Sequence, residues 1–324
     1  GAEWTEVARY VRSIDPYRRP ITMHPFDSAR SRVTDETVLD FDMLQTGHGG
    51  GAATIGAAAK VTAARARTPA MPVVIGECCY EGHMQTAFAD EQRHLFWSAM
   101  LSGAAGFTYG AAGIWHASIE GDPGIANVYD RTTWREGMAF AGSTHLSLGK
   151  ALLAGLPWAE LSPHPESASQ GAFVLSDDRV RMAFLPRRNV YNWSGIELTG
   201  LAKGAPYAAF FFDPVRGTRF ALGIVTTEGT WQTPPVPSPQ DWVIVLQALD
   251  LGAPVVLPTV AATQVCAGKL SPAGSTFARV EGPAWLRIEA DGSYAGTPDE
   301  FDGGAKDRKS TRLNSSHTVI SYAV

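Results

Sequence analysis

The chain has 324 residues, 45% of them hydrophobic and 18% charged, with a formal net charge of −5. That length allows two or three domains, and the composition is that of an ordinary globular protein. A weakly acidic balance without a basic stripe argues against a surface built for nucleic acid or an anionic membrane. No apolar run approaches the roughly eighteen residues of a membrane span, and three cysteines are too few for a disulfide framework.

The chain opens on Gly1, Ala2, Glu3 and Trp4, already inside a helical pattern and without Met. It reads as truncated at that end, so a missing signal peptide says nothing of localisation. Trp4, Val7, Ala8, Val11 and Ile14 follow helical spacing, and Asp15-Pro16 stops the helix. Residues 20–25 predict a short strand between prolines, 35–39 a short helix and 41–45 a strand. Residues 46–50 form the loop after that strand, and the Ala-rich residues 52–66 are helical. The clearest strand is 71–77, whose run Val73, Val74, Ile75 suits a parallel strand buried on both faces. Cys78 and Cys79 follow it, and alternation should send their side chains to opposite faces. Asp90 is expected to cap a helix that carries Leu95, Phe96, a core Trp97, Met100 and Leu101 to a stop at Gly103. Residues 106–109 predict another strand and 134–153 the last helices. Four such βα units mean a parallel sheet with helices outside. They amount to half of a (β/α)₈ barrel, strands 5–8, over residues 1–160, with any chemistry at the C-terminal strand ends.

After Leu156-Pro157-Trp158 the pattern changes to short strands and turns, predicting an all-β sandwich over residues 161–250. Its strands are 172–175, 180–185, 207–212, 219–224 and 242–246, with a hairpin turn at 213–217. Residues 251–306 read as a partial immunoglobulin- or cadherin-like module, on Gly282-Pro283-Ala284-Trp285-Leu286, Asp291-Gly292 and Gly296-Thr297-Pro298. Residues 307–317 and 320–324 read as the in-frame translation of a sequencing adapter interrupted by a short index. Residues 307–324 are therefore expected to pack against nothing.

Glu77 is the sharpest candidate for chemistry. A glycosidic bond is cleaved by two carboxylates flanking it, and a Glu ending the run Val-Val-Ile-Gly-Glu is held by its strand, with Gly76 leaving room. Its bland reading is a solvated strand-end Glu. Glu81, four residues on, reads as loop surface. His24, Gln45 and His48 fall at strand ends, where they could bind sugar hydroxyls or orient Glu77; taken alone, each reads better as a structural residue. Tyr109 and Trp115 could form an aromatic sugar platform or belong to the core. Glu77, Cys78, Cys79 and His83 lack zinc-site spacing, so no metal is expected. The Gly-rich residues 47–51 lack a phosphate-loop pattern, so no nucleotide or other cofactor is expected either. Asn192-Trp193-Ser194 matches a glycosylation acceptor, a motif too short to weigh.

The segments DPYRRPITMHP, DFDMLQTGHGG, MPVVIGECCYEG and LFWSAMLSGAAGFTYGAAGIW, in this order over residues 1–160, resemble a bacterial family of apiosidase-like glycoside hydrolases. Residues 171–248, with YAAFFFDPVRGTRF and DWVIVLQAL, resemble the domain that follows that barrel, labelled a collagen-binding domain of a collagenase. The resemblance implies a (β/α)₈ fold, hydrolysis of an oligo- or polysaccharide, Glu77 on the seventh strand as one catalytic carboxylate, and a secreted, periplasmic or cell-surface protein. It places the partner acid after the fourth strand, upstream of Gly1; Glu3 belongs to the helix start and is not assigned that role. The collagenase label has little weight, because no HExxH zinc motif is present. Two readings follow: a retaining-type glycoside hydrolase, inactive in this fragment, or a module that binds carbohydrate or collagen without catalysis.

Overall fold

The computed structural model describes residues 1–120, 132–187, 195–249, 266–269, 275–279, 286–288, 293–296 and 319–323, with backbone alone at 51–52 and from 266 onward. The acceptor motif at 192–194, the tract 282–285, Asp291-Gly292 and residues 307–317 lie outside the described residues. The chain divides into two compact units, Gly1–Phe184 and Leu185–Val324.

In the first unit α1 (Ala2–Ile14) buries Thr5 and Ala8. Ala8 joins Ala29, Val38 and Leu39 in a small core, with Ile21, Met23, Val33, Met43 and Met71 around it. Its other apolar residues, Trp4, Val7, Val11 and Ile14, are exposed, so the stripe that the spacing marks faces mostly outward. β1 (Asp42–Gln45), α2 (Gly51–Arg65), β2 (Val73–Glu77), α3 (Ala89–Leu101) and β3 (Gly106–Phe107) alternate as expected. They form a three-stranded parallel sheet in the order β1-β2-β3. The strand expected at 20–25 is absent. Pro20 and Pro25 cannot donate to a ladder, and the segment is tied instead by single contacts, Asp40 N to Ile21 O at 2.8 Å and Thr22 Oγ1 to Phe41 O at 2.8 Å.

α3 has no side-chain cap; Phe88 occupies the cap position and Asp90 lies in the first turn, where a carboxylate still favours the helix dipole. Leu95, Trp97, Ala99 and Leu101 on α3 are fully buried. α4 (Trp134–Met138) is closed by a capping box between Thr133 and Glu136, and α5 (Gly142–Ala154) follows. The unit runs on through β4 (Ser162–Pro163), β5 (Phe173–Ser176) and most of β6 (Val180–Leu185), paired antiparallel in that order. Aromatic packing ties β5 and β6 to α3: Trp97 stacks on Phe184 with centroids 6.3 Å apart, and His94 meets Phe173 and Phe184 edge-on.

In the second unit the strands are β7 (Glu197–Thr199), β8 (Pro206–Phe212), β9 (Arg219–Thr226), β10 (Thr230–Gln232) and β11 (Trp242–Ala248). β8 pairs antiparallel with both β9 and β11, and β7 with β10. The turn at 213–217 is built on buried Asp213, whose Oδ1 accepts the backbone N–H groups of Val215 and Arg216. Tyr207, Phe210, Phe211 and Phe212 are all buried, so β8 presents no exposed aromatic strip. β12 (Cys266–Lys269), β13 (Ser275–Arg279), β14 (Leu286–Ile288) and β15 (Ser293–Gly296) follow, with β15 paired to β12 and β14. The tail was expected to pack against nothing, yet β16 (Val319–Ala323) pairs antiparallel with β13. Val319, Ile320 and Tyr322 are strong strand formers, which accounts for the pairing. Among the described residues no helix is long and apolar enough to cross a membrane.

Candidate active site

Glu77 ends β2 beside Gln45, the last residue of β1. The ladder pairs Asp42 with Val73, Met43 with Val74 and Leu44 with Ile75, then shifts register so that Gln45 pairs with Glu77. Paired residues in a sheet share a face, so the shift puts Glu77 on the face of Met43 and Gln45. Strict alternation would leave it with buried Val73 and Ile75. Gly76 is the extra residue, and a β-carbon there would run into the side chain of Met43.

Three side chains converge on the Glu77 carboxylate. Gln45 Nε2 donates to Oε1 at 2.7 Å, and His48 Nε2 lies 2.5 Å from the same oxygen. His24 Nε2 lies 2.9 Å from Oε2. His48 Nδ1 is buried without a hydrogen-bond partner among the described residues. The tautomer with its proton on Nε2 is therefore the one that satisfies the contact. The loop that carries His48 uses Gly47 and Gly50 at positive φ, a conformation costly for other residues. The Glu77 side chain is 13% exposed, at the wall of a cavity of 760 Å³ also lined by Trp4, Val11, Met23, His24, Phe26 and Gln45. Phe26 is 86% exposed.

A ring cluster continues from His48. Tyr80 packs edge-on against it at 4.7 Å between centroids, His83 at 5.1 Å, and Trp115 meets His83 at 6.3 Å. Trp115 is half exposed. Burial, then the charge of Glu77, pushes the Tyr80 hydroxyl up to about 12, so it stays protonated. Tyr109 is placed elsewhere: its hydroxyl donates to Glu81 Oε2 at 2.6 Å. Glu81 is not loop surface but 2% exposed, and its Oε2 also accepts the Gly142 N–H at 2.9 Å. The two cysteines diverge as expected, Cys78 Sγ toward Thr108 O and Cys79 Sγ toward Gly47 O. Burial raises both thiols above their usual range, which leaves them poor nucleophiles.

Of the residues singled out in sequence, the structure brings His24, Gln45 and His48 onto Glu77 and leaves Trp115 in contact with His83; Tyr80 and His83, not considered there as sugar contacts, pack against His48. Their signal is the tract after Glu77, in which Tyr80 and Glu81 are adjacent and His83 follows across Gly82.

Residues 1–160 match the model of the family described as "Apiosidase-like, catalytic domain". No curated protein matches the chain. Among solved structures, one described as "Glycoside hydrolase" is 19% identical, with a TM-score of 0.66 over 78% of this chain and 62% of its own. A glycoside hydrolase family 5 protein from Bacteroides vulgatus ATCC 8482 is 20% identical, also at 0.66, over 79% of this chain and 61% of its own. The chain therefore spans about three fifths of the length of these structures. The chain is thus similar to the apiosidase-like catalytic domain in sequence over residues 1–160, and to solved glycoside hydrolases in fold over about four fifths of its length.

Proposed function

We propose that this chain carries part of the active site of a retaining glycoside hydrolase, with Glu77 as the nucleophilic carboxylate and a plant or microbial oligo- or polysaccharide as substrate. The reading rests on the convergence of Gln45, His48 and His24 on Glu77 at the mouth of a cavity. Gln45 and the imidazole N–H groups hold the carboxylate as an acceptor, and a nucleophile must meet the anomeric carbon in that form. Trp115 offers a partly exposed face on which a sugar ring can stack. The half-barrel of strands 5–8 is part of the same proposal, as are the β-sandwich over 161–250 and the immunoglobulin-like module over 251–306.

Retaining cleavage uses a second carboxylate about 5–5.5 Å from the first. Among the described residues lining the cavity, Glu77 is the only one with a carboxylate. The chain by itself is therefore expected not to hydrolyse natural glycosides, whose alkoxide leaving groups need a general acid worth about 10²–10⁴-fold in rate. Leaving groups that depart without a proton bypass that need.

This separates the two parts of the proposal. The chain is incubated with 2,4-dinitrophenyl 2-deoxy-2-fluoroglycosides of xylose, arabinose, glucose and galactose. A Glu77 oxygen forms a bond to the anomeric carbon while the dinitrophenolate leaves with the electron pair of the broken C–O bond. The expected result is one glycosyl adduct on the peptide that contains Glu77, absent from Glu77→Gln. An adduct on another carboxylate, or turnover of a natural glycoside that survives Glu77→Gln, would refute the assignment.

A further inference from the structure

Residues 79–87 form a loop that is strained and pinned at several points. Met84, Gln85 and Ala87 are non-glycine residues at positive φ (54°, 59° and 57°), a cost carried only where the surroundings over-determine the backbone. Both ends of the loop are tied by one side chain: buried Gln92 donates from Nε2 to Cys79 O at 2.7 Å and to Ala87 O at 2.9 Å. Its middle is tied by Glu81. The carboxylate takes the Tyr109 hydroxyl and the first N–H of α5, while the backbone of Glu81 bonds Gly110 and Ala112. The neighbours of Glu81 in this loop are Tyr80 and His83, the rings packed against His48, which in turn touches Glu77. The Tyr80 ring lies over Gly110, where a β-carbon would overlap it.

Glu81 is too enclosed to meet a substrate, so it is not the second catalytic carboxylate. We infer that Glu81 is a positioning residue: by fastening the loop to Tyr109 and α5 it fixes Tyr80 and His83 as the wall between His48 and Trp115. This rests on the glycosidase reading for the identity of the ligand, a pyranose or furanose ring stacked on Trp115, but not for the positioning itself. A buried carboxyl that accepts two donors ties the loop to two separate elements at once, the Tyr109 ring and the start of α5.

The test uses the full chain and two readouts. The imidazole signals of His48 and His83 are recorded by NMR in wild type, Glu81→Ala, Glu81→Gln and Tyr109→Phe, each shown to be folded by its thermal transition. Cellobiose, xylobiose and mannobiose are then titrated singly while the Trp115 indole signal is followed. Glu81→Ala should move both histidine signals and weaken disaccharide binding by about tenfold, the cost of re-ordering two released side chains. Glu81→Gln keeps an acceptor for both donors and should restore signals and affinity; Tyr109→Phe should give an intermediate shift. Histidine signals unmoved in Glu81→Ala, or not restored in Glu81→Gln, overturn the positioning role. A wild type whose Trp115 signal no disaccharide moves overturns the choice of ligand, while the histidine signals still decide the positioning.

Discussion

Gln92→Met weighs the closure of loop 79–87 directly. Gln92 is fully buried, and its amide nitrogen serves the two carbonyls at the loop ends while its Oε1 has no hydrogen-bond partner among the described residues. Met has nearly the same length and volume but no donor. Leaving Ala87 O unmet and Cys79 O with only the weak Cys78 thiol donor costs up to about 1–3 kcal/mol each, and removing the orphaned Oε1 returns about 1–3 kcal/mol. The balance is a loss of about 1–3 kcal/mol, which for a unit of this size lowers Tm by about 2–4 °C per kcal/mol. Gln92→Glu should be worse at neutral pH, since it aims an acceptor-only carboxylate at two carbonyls. Burial raises the folded pKa of the new carboxyl above its unfolded value, so its cost grows as pH rises through that interval. Urea unfolding followed by circular dichroism at pH 5 and pH 7 reads both effects. Gln92→Met within about 0.5 kcal/mol of wild type, or Gln92→Glu more stable at pH 7 than at pH 5, would refute the reasoning.

Glu81 gives a pH signature of its own. Burial, opposed by the bonds from Tyr109 and Gly142 and the charge of Arg93 and aided by Asp90, raises its pKa above the ordinary 4.5. The folded state therefore binds this proton more tightly than the unfolded one, and stability falls as pH rises from about 4.5 through the folded value; Glu81→Gln should flatten that part of the Tm-against-pH curve, and an unchanged slope would count against it. Gly142→Ala pits better helix propensity, worth about 0.5–1 kcal/mol, against a β-carbon that would overlap Glu81 Oε2 and touch Tyr109; overpacking costs about 1–3 kcal/mol, so calorimetry should show a net loss. Asp213→Ala strips the acceptor from two turn N–H groups and should cost about 1–3 kcal/mol, measured by chemical unfolding.

What could be read from the sequence was local. The run Val73-Val74-Ile75 gave β2, the Ala-rich tract gave α2, and the turn residues after Phe212 gave the β8–β9 hairpin, because each signal lies within one element. The strand expected at 20–25 failed on its bounding prolines. On α1 the spacing marks an apolar stripe but not what covers it, and here Thr5 and Ala8 do the packing. The reading of Tyr109 as a sugar platform or a core aromatic says nothing of what its hydroxyl meets. Its partner is set by loop geometry 28 residues away in sequence, which periodicity does not encode.

Glu77 and Glu81 carry the point furthest. Four residues apart on one tract, they read in sequence as the end of a buried strand and an exposed loop, and only the first is proposed as a catalytic group. In the structure both are enclosed, but by opposite means. Glu77 is turned by a one-residue shift at Gly76 onto the cavity face, where side chains of other segments reach its two oxygens and one edge stays open to the 760 Å³ cavity. Glu81 is turned inward onto a phenol and a helix N–H, and no substrate can displace them. Burial alone does not separate the two roles; the destination of the hydrogen bonds does. Donors from side chains that line a cavity leave one edge of a carboxylate open to it, whereas donors from a packed ring and a helix terminus enclose the same group as a fixed anchor. If that distinction holds, Glu77→Gln should abolish the glycosyl adduct and leave the His83 signal in place, while Glu81→Ala should displace the His83 signal and still permit the adduct at a lower rate. Loss of the adduct together with an unmoved His83 signal in Glu81→Ala would make Glu81 part of the chemistry and refute the division of roles.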